Sequence, residues 1–158
     1  MAIEIERRFL VRKDIRRLCR KGVRIVQGYL PSDGEHTIRV RLADSVGTLT
    51  VKGPRRGLCR DEMEFSIPAA SAAGLLRDVC DAGKIEKVRY HIHHKGLCWE
   101  VDVFEGDNAG LVIAEVELAH PAQPVPLPDW VGLEVTHLPA YSNSSLSRHP
   151  IRRWVDAA

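Results

Sequence analysis

Seven cations and eight carboxylates of this 158-residue chain sit at alternating positions within short segments. The cations are Arg8, Arg39, Arg41, Lys52, Arg60, Lys87 and Arg89. The carboxylates are Glu4, Glu6, Glu62, Glu64, Glu100, Asp102, Glu115 and Glu117. Guanidinium and ammonium groups match phosphate oxygens, and a guanidinium can do so in bidentate fashion. Carboxylate oxygens match hard divalent cations such as Mg2+ or Mn2+. A bare anion would not need the carboxylates, and a bare cation would not need the arginines. A polyphosphate with its metal ion needs both sets at once.

Alternation with a period of two is the signature of β-strands, and the elements that must position these groups follow from it. Strands are predicted over residues 3–11, 24–30, 36–43, 47–53, 59–67, 84–94, 97–105 and 111–118. Short helices are predicted over 13–21, where Asp14 stands near the start and Gly22 can close it, and over 69–82, following Pro68 and stopped by Gly83. A proline-rich connector (Pro121, Pro124, Pro126, Pro128) leads to a less regular tail over 129–158, with a short helix around 140–147. No repeat and no second domain is evident, so residues 1–158 read as a single domain.

Each strand sets an apolar face against the charged one. Ile38, Val40 and Leu42 oppose Arg39 and Arg41; Val88, Tyr90 and Ile92 oppose Lys87 and Arg89. An open sheet with water on its polar side would explain such strands taken one at a time. If the eight strands close into a barrel, one face must be interior. A charged exterior would leave the two helices nothing apolar to cover, so the charged face is assigned to the inside. The fold class is mainly β (α+β): an eight-stranded antiparallel β-barrel, or tunnel, with a charged interior and flanking helices. Buried charges lose hydration, so such a lumen calls for a guest that completes it.

Composition narrows the classes further. Hydrophobic residues make up 44% of the chain, ordinary for a globular protein, and the formal net charge is only +2, too small for a general nucleic-acid binder. No apolar run is long enough to span a membrane, and the charged N-terminal residues exclude a signal peptide. Cys19, Cys59, Cys80 and Cys98 form no CxxC pair, and idle thiols in a cytoplasmic protein account for them. The basic stretch Arg12, Lys13, Arg16, Arg17, Arg20, Lys21 and Arg24 reads as the solvated face of the first helix, which can also steer an anionic substrate. His91, His93 and His94 invite a transition-metal reading, but no third ligand has evident spacing and a barrel rim is the plainer place for them. His36 reads as a surface residue, and Asp61 is out of phase with the charged face of its strand.

The string Glu4-Ile5-Glu6-Arg7-Arg8 resembles the ExExK signature of the CYTH superfamily, the triphosphate tunnel metalloenzymes. The resemblance continues through Ile38-Arg39-Val40-Arg41, Thr50-Val51-Lys52, Arg60-Asp61-Glu62-Met63-Glu64, Glu86-Lys87-Val88-Arg89-Tyr90, Glu100-Val101-Asp102, Glu115-Val116-Glu117, Glu134-Val135-Thr136 and Tyr141-Ser142-Asn143 with Leu146. It implies a tunnel that binds a triphosphate with Mg2+ or Mn2+. Glu4, Glu6, Glu115 and Glu117 would be the metal ligands, with Glu62, Glu64 and Asp102 as further candidates. Arg8, Arg39, Arg41, Lys52, Arg60, Lys87 and Arg89 would hold the phosphates. Glu4, Glu6, Arg8, Lys52 and Glu117 would form the catalytic set. The Glu62/Glu64 and Glu100/Asp102 pairs read equally well as partners that keep the arginines oriented. The signature lysine is Arg8 here, and the exchange of a compact ammonium for a planar guanidinium is not neutral.

The function implied is metal-dependent hydrolysis of inorganic tripolyphosphate or a nucleoside triphosphate, with thiamine triphosphate as a variant. The alternatives are a class IV-type adenylyl cyclase, for which no base-reading motif is evident, and a non-catalytic polyphosphate or nucleotide binder. No nucleic-acid or membrane partner is expected; a homodimer is left open.

Overall fold

The computed structural model describes residues 2–80 and 83–155. Its strands are β1 (Ala2–Val11), β2 (Val23–Leu30), β3 (Thr37–Ala43), β4 (Val46–Arg56), β5 (Cys59–Ile67), β6 (Ile85–His94), β7 (Leu97–Phe104), β8 (Val112–Glu117) and β9 (Val131–Glu134). The helices are α1 (Ala69–Asp78), α2 (Asn143–Arg148) and α3 (Arg152–Val155). Strands pair in the ring β1–β5–β4–β3–β2–β6–β7–β8 and back to β1, every pair antiparallel. This is the closed eight-stranded barrel expected from the alternation. β9 adds to β1 at residues 9–11, beyond the stretch 2–5 that pairs with β5.

The apolar faces point outward and are covered around much of the barrel, while Ile3, Met63 and Phe65 on β1 and β5 stay exposed. Ala72 and Leu76 of α1 pack on Val40, flanked by Val26, Leu42 and Leu49. Gly28 permits this approach, since a Cβ there would lie 2.8 Å from the Cys80 sulfur. On another side, Ile5, Phe9, Trp99, Val101 and Val116 are covered by Ile15, Trp130 and Val131. The rings of Phe9, Trp99 and Trp130 meet edge-on in series, at 5.6 and 5.7 Å.

Four departures from the sequence-based expectation have physical causes. Residues 13–21 do not form a helix. Only one turn closes, with Leu18 and Cys19 N–H groups donating to Ile15 O at 2.8 and 3.2 Å. Like charges at i,i+4 (Lys13/Arg17, Arg16/Arg20, Arg17/Lys21) oppose a segment already too short to be helical by itself. Gly22 is not a helix stop but a point of close passage, where a Cβ would sit 2.4 Å from Val88. The second helix ends at Asp78 rather than 82; Asp81 and Ala82 lie outside the described residues. The fourth strand does not end at Gly53 but runs to Arg56 through a register shift between Lys52 and Arg55. β9, within the tail read as irregular, is a four-residue strand too short to show a period.

One end of the barrel interior is apolar. Leu10, Ile85, Phe104 and Ile113 share the inward parity of the charged residues and pack with Leu146 of α2. α2 thus forms a floor inside the barrel. Its N-cap is Ser142, whose hydroxyl accepts from Ser145 N–H at 3.2 Å.

Candidate active site

Above that floor lies a cavity of about 220 Å³. β1 contributes Glu4, Glu6 and Arg8; β2 Tyr29; β3 Thr37, Arg39 and Arg41; β4 Lys52 and Arg55; β5 Arg60, Glu62 and Glu64. β6 adds Lys87 and Arg89, β7 Glu100, β8 Glu115 and Glu117, and the residues at the start of α2 add Ser142, Asn143 and Ser144. Every site residue named from the sequence lines this chamber except Asp102, which lies fully buried behind Lys87 and Arg89. Convergence follows from register. Glu64, Thr50, Arg39 and Tyr29 form one cross-strand row, and Ser66, Thr48, Arg41 and Gln27 the next.

Some of these charges are committed to one another. Arg89 clamps Asp102 with two bonds, Nε to Oδ1 at 2.7 Å and Nη2 to Oδ2 at 2.8 Å, and also pairs with Glu100. Lys87 Nζ donates to Asp102 Oδ2 at 2.5 Å and to Asn143 Oδ1 at 3.1 Å. Burial alone would raise the Asp102 carboxyl; Lys87 and Arg89 outweigh it and hold the group well below the ordinary carboxylate range. Burial draws Lys87 down to about 8 in spite of Asp102, with Arg89 adding to the depression. Lys52 Nζ binds both oxygens of Glu4, at 2.6 and 2.7 Å, and lies 2.8 Å from Glu62. Glu64 accepts from the Thr50 hydroxyl at 3.0 Å, and Arg39 reaches the same two groups.

Other charges are not neutralised. Among the described residues Arg41 has no carboxylate within ion-pair reach, and its one side-chain bond is Nε to Gln27 at 3.0 Å. Burial, with Arg39 and Arg89 nearby, draws it down to about 10. The Nε groups of Arg8 and Arg39 are buried without an acceptor. On the acidic side, Glu6 faces Glu117 directly across the β1–β8 pair, an arrangement that repels. Burial first, then the Glu115 and Glu4 carboxylates, push Glu6 up to about 7 against the pull of Lys52 and Arg8. Burial and the neighbours Glu4, Glu100 and Glu62 likewise raise Glu117. Glu6 and Glu117 form a surplus of carboxylate, while Glu4 is held by Lys52 and Glu115 accepts from Arg89 Nη2 at 3.2 Å. The four together, oxygen donors with no thiolate or imidazole among them, fit a hard divalent cation. As the side chains stand, no three His, Cys, Asp or Glu groups among the described residues converge into a ready coordination shell.

Arg8 departs from a simple phosphate contact. Its guanidinium donates to the backbone oxygens of Tyr141 and Thr136, at 3.3 and 3.4 Å, tying the tail to the barrel wall. The chamber also holds residues not identified from sequence. Tyr29, Thr37 and Arg55 line it, as do Ser142–Ser144. Tyr29 and Thr37 are in phase with Gln27 and Arg39, so parity alone would have found them. Arg55 is hidden by the Gly53-Pro54 dipeptide, which reads as a strand end. His91 and His93 are exposed, and His91 Nε2 stands 3.6 Å from Glu100. His36 is exposed and bonded to Asp33, and Asp61 pairs with Arg56 on the outer face.

Comparison with known proteins agrees with this architecture. The model of the CYTH domain family matches residues 2–147. The chain is 43% identical over 154 residues to an inorganic triphosphatase of Acetivibrio thermocellus, covering 98% of this chain and 99% of that protein. It is 34% identical over 149 residues to an inorganic triphosphatase of Nitrosomonas europaea, covering 91% and 96%. A crystal structure of an inorganic triphosphatase superposes with a TM-score of 0.65 at 30% identity, over 93% of this chain and 95% of that one. A protein from Pyrococcus horikoshii shares the fold at 21% identity, with a TM-score of 0.57 over 75% and 80% of the two chains.

Proposed function

This chain belongs to the CYTH domain family, and on that premise we propose that it is a metal-dependent triphosphatase acting on inorganic tripolyphosphate. The observation that carries the reading is a double surplus in one chamber. Arg41 has no carboxylate in ion-pair reach among the described residues, and the buried Nε groups of Arg8 and Arg39 have no hydrogen-bond acceptor. Glu117 faces Glu6, which only Arg8 and Arg55 approach among the described residues, at 3.9 and 3.7 Å. A triphosphate supplies the missing anion and its metal the missing cation. An inorganic guest is favoured over a nucleotide because nearly every wall is charged and Tyr29 is the lone aromatic among the lining residues.

In this reading Arg39, Arg41, Lys52, Arg60, Lys87 and Arg89 bind phosphate oxygens and draw off the charge that develops in transfer. Glu4, Glu6, Glu115 and Glu117 hold the ion. Bound there, Mg2+ or Mn2+ would supply Lewis-acid stabilisation of the phosphoryl oxygens. Water attacks the terminal phosphorus, the bridging P–O bond breaks, and a carboxylate of the acidic set accepts the proton. The products are orthophosphate and diphosphate. Asp102, Glu100, Glu62 and Glu64 orient the cations they pair with. Glu4 and Glu115, paired with Lys52 and Arg89, exchange those partners for the ion when the guest binds. Arg8 ties β1 to the tail through its Nη groups and offers its unbonded Nε to the phosphates. The free thiols Cys19, Cys59 and Cys98 suit a cytoplasmic setting.

The test is phosphate release from tripolyphosphate, ATP and thiamine triphosphate with Mg2+ or Mn2+, with products identified. Fastest turnover of tripolyphosphate supports the reading. Cyclic AMP from ATP would establish the cyclase instead, and tight binding with no turnover of any substrate would establish a binder.

A further inference from the structure

The register shift in β4 changes which residues face the chamber. Lys52 pairs with Glu62 and Arg55 with Arg60, so Gly53 and Pro54 together stand opposite Asp61 alone. Two residues against one is a β-bulge, and it reverses the parity of everything beyond it. Without it Pro54 would face Arg60 and Arg55 would point outward. Pro54 offers no N–H to the ladder, which makes this dipeptide a natural place for the irregularity. With the bulge, Arg55 shares the inward face of Arg60, while Arg56 turns outward to Asp61 at 2.7 Å.

Arg55 and Arg60 are therefore two guanidiniums directly opposite each other on one face, an arrangement that repels unless an anion lies between them. Arg60 is fixed by bonds to Gly53 O at 2.5 Å and Thr37 Oγ1 at 2.7 Å. The Arg55 side chain makes no hydrogen bond among the described residues, and its nearest carboxylate, Glu6, is 3.7 Å away. Its side chain is 32% exposed, whereas Lys87 at the floor is fully buried. Arg55 thus stands at the open end of the chamber with its donors unused.

We propose that Arg55 is a substrate-binding residue, turned inward by the Gly53-Pro54 bulge, and that with Arg60 it holds a phosphoryl group at the open end of the bound polyphosphate. The proposal rests on the triphosphatase reading and names a subsite within it.

Arg56 provides the control: it is the next residue, carries the same charge, and faces the other way. Steady-state kinetics on tripolyphosphate would compare the wild type with Arg55→Ala, Arg55→Lys and Arg56→Ala, with thermal unfolding of each to establish folding. Arg55→Ala is expected to raise KM on the order of tenfold to a hundredfold, the range for losing one charge-assisted bond. Arg55→Lys should recover part of that loss, and Arg56→Ala should stay within about twofold of the wild type. Equal effects of Arg55→Ala and Arg56→Ala, or no effect of either, would overturn the subsite. If the wild type releases no phosphate, the triphosphatase reading fails, and calorimetric binding of tripolyphosphate to the same variants decides the role of Arg55 separately. Should Arg55→Ala not fold, Arg55→Lys and Arg55→Gln carry the same comparison.

Discussion

Lys52 grips Glu4 by both carboxylate oxygens, at 2.6 and 2.7 Å, so a group suited to phosphate is joined to a group suited to metal. The guest must separate them, and each then finds a new partner. Lys52→Ala is expected to raise the KM for tripolyphosphate about tenfold or more, the scale of a lost charged contact. Because it frees Glu4, the same variant should bind Mn2+ alone no more weakly than the wild type. Calorimetric titration checks this, and a weakened Mn2+ affinity would contradict the exchange of partners.

Glu117 has no cation partner among the described residues, so its replacement removes a metal donor without orphaning a buried charge. Glu117→Gln should raise the metal concentration needed for half-maximal activity at least about tenfold. Binding of tripolyphosphate without metal should be unchanged or tighter, since a repelling charge is gone. Loss of that binding would argue for a phosphate-side role.

Asp102 has the opposite character. With Lys87 and Arg89 both bonded to it, Asp102→Ala leaves the buried Lys87 without a carboxylate and Arg89 with only Glu100 and Glu115, at a cost of about 3–5 kcal/mol. Urea denaturation measures this directly. A variant of near wild-type stability would show that the cations find other partners.

The metal-free protein should lose stability as pH rises from about 5 to 7, below the range where Lys87, drawn down to about 8, acts in the opposite direction. The fold favours the protonated form of Glu6, so its contribution is complete below about 4.5 and is lost as pH rises through about 7. Glu117 acts in the same direction. Asp102 is lowered, so its contribution is present throughout this window and is lost only in stronger acid. Denaturation across the series should show the decline in the wild type and a flatter line in Glu6→Gln. Added Mg2+ at about pH 7 should restore the loss; an unchanged slope in Glu6→Gln would place its cause elsewhere.

Leu146 is fully buried where α2 meets the barrel interior. Leu146→Ala should cost about 2–5 kcal/mol, the range for a large core truncation. Limited proteolysis should then cut the tail beyond residue 135 sooner than in the wild type. Resistance equal to wild type would mean that Arg8 and its two carbonyl partners suffice to hold the tail.

The barrel and most of its lining were legible because parity is local: Arg39 and Arg41, or Glu115 and Glu117, must share a face whatever lies beside them. Which charge pairs with which was not legible, since that depends on register between strands. Asp102 lies opposite Arg89 only because β6 and β7 pair as they do, and nothing in its own segment separates it from Glu100. Arg55 was lost because a bulge reverses parity and leaves only a Gly-Pro dipeptide as its trace. The segment 13–21 misled because its apolar spacing suits a helix while its crowded cations oppose one. β9 has meaning only as a partner for the part of β1 that β5 leaves unpaired.

With Leu146 seated among Leu10, Ile85, Phe104 and Ile113, the described residues fill that end of the barrel with apolar side chains. Entry and departure must share the opposite opening, so a spent diphosphate sits in the path of the next molecule. Slow egress of diphosphate would then set the pace of turnover, and added diphosphate would compete with tripolyphosphate for the free enzyme.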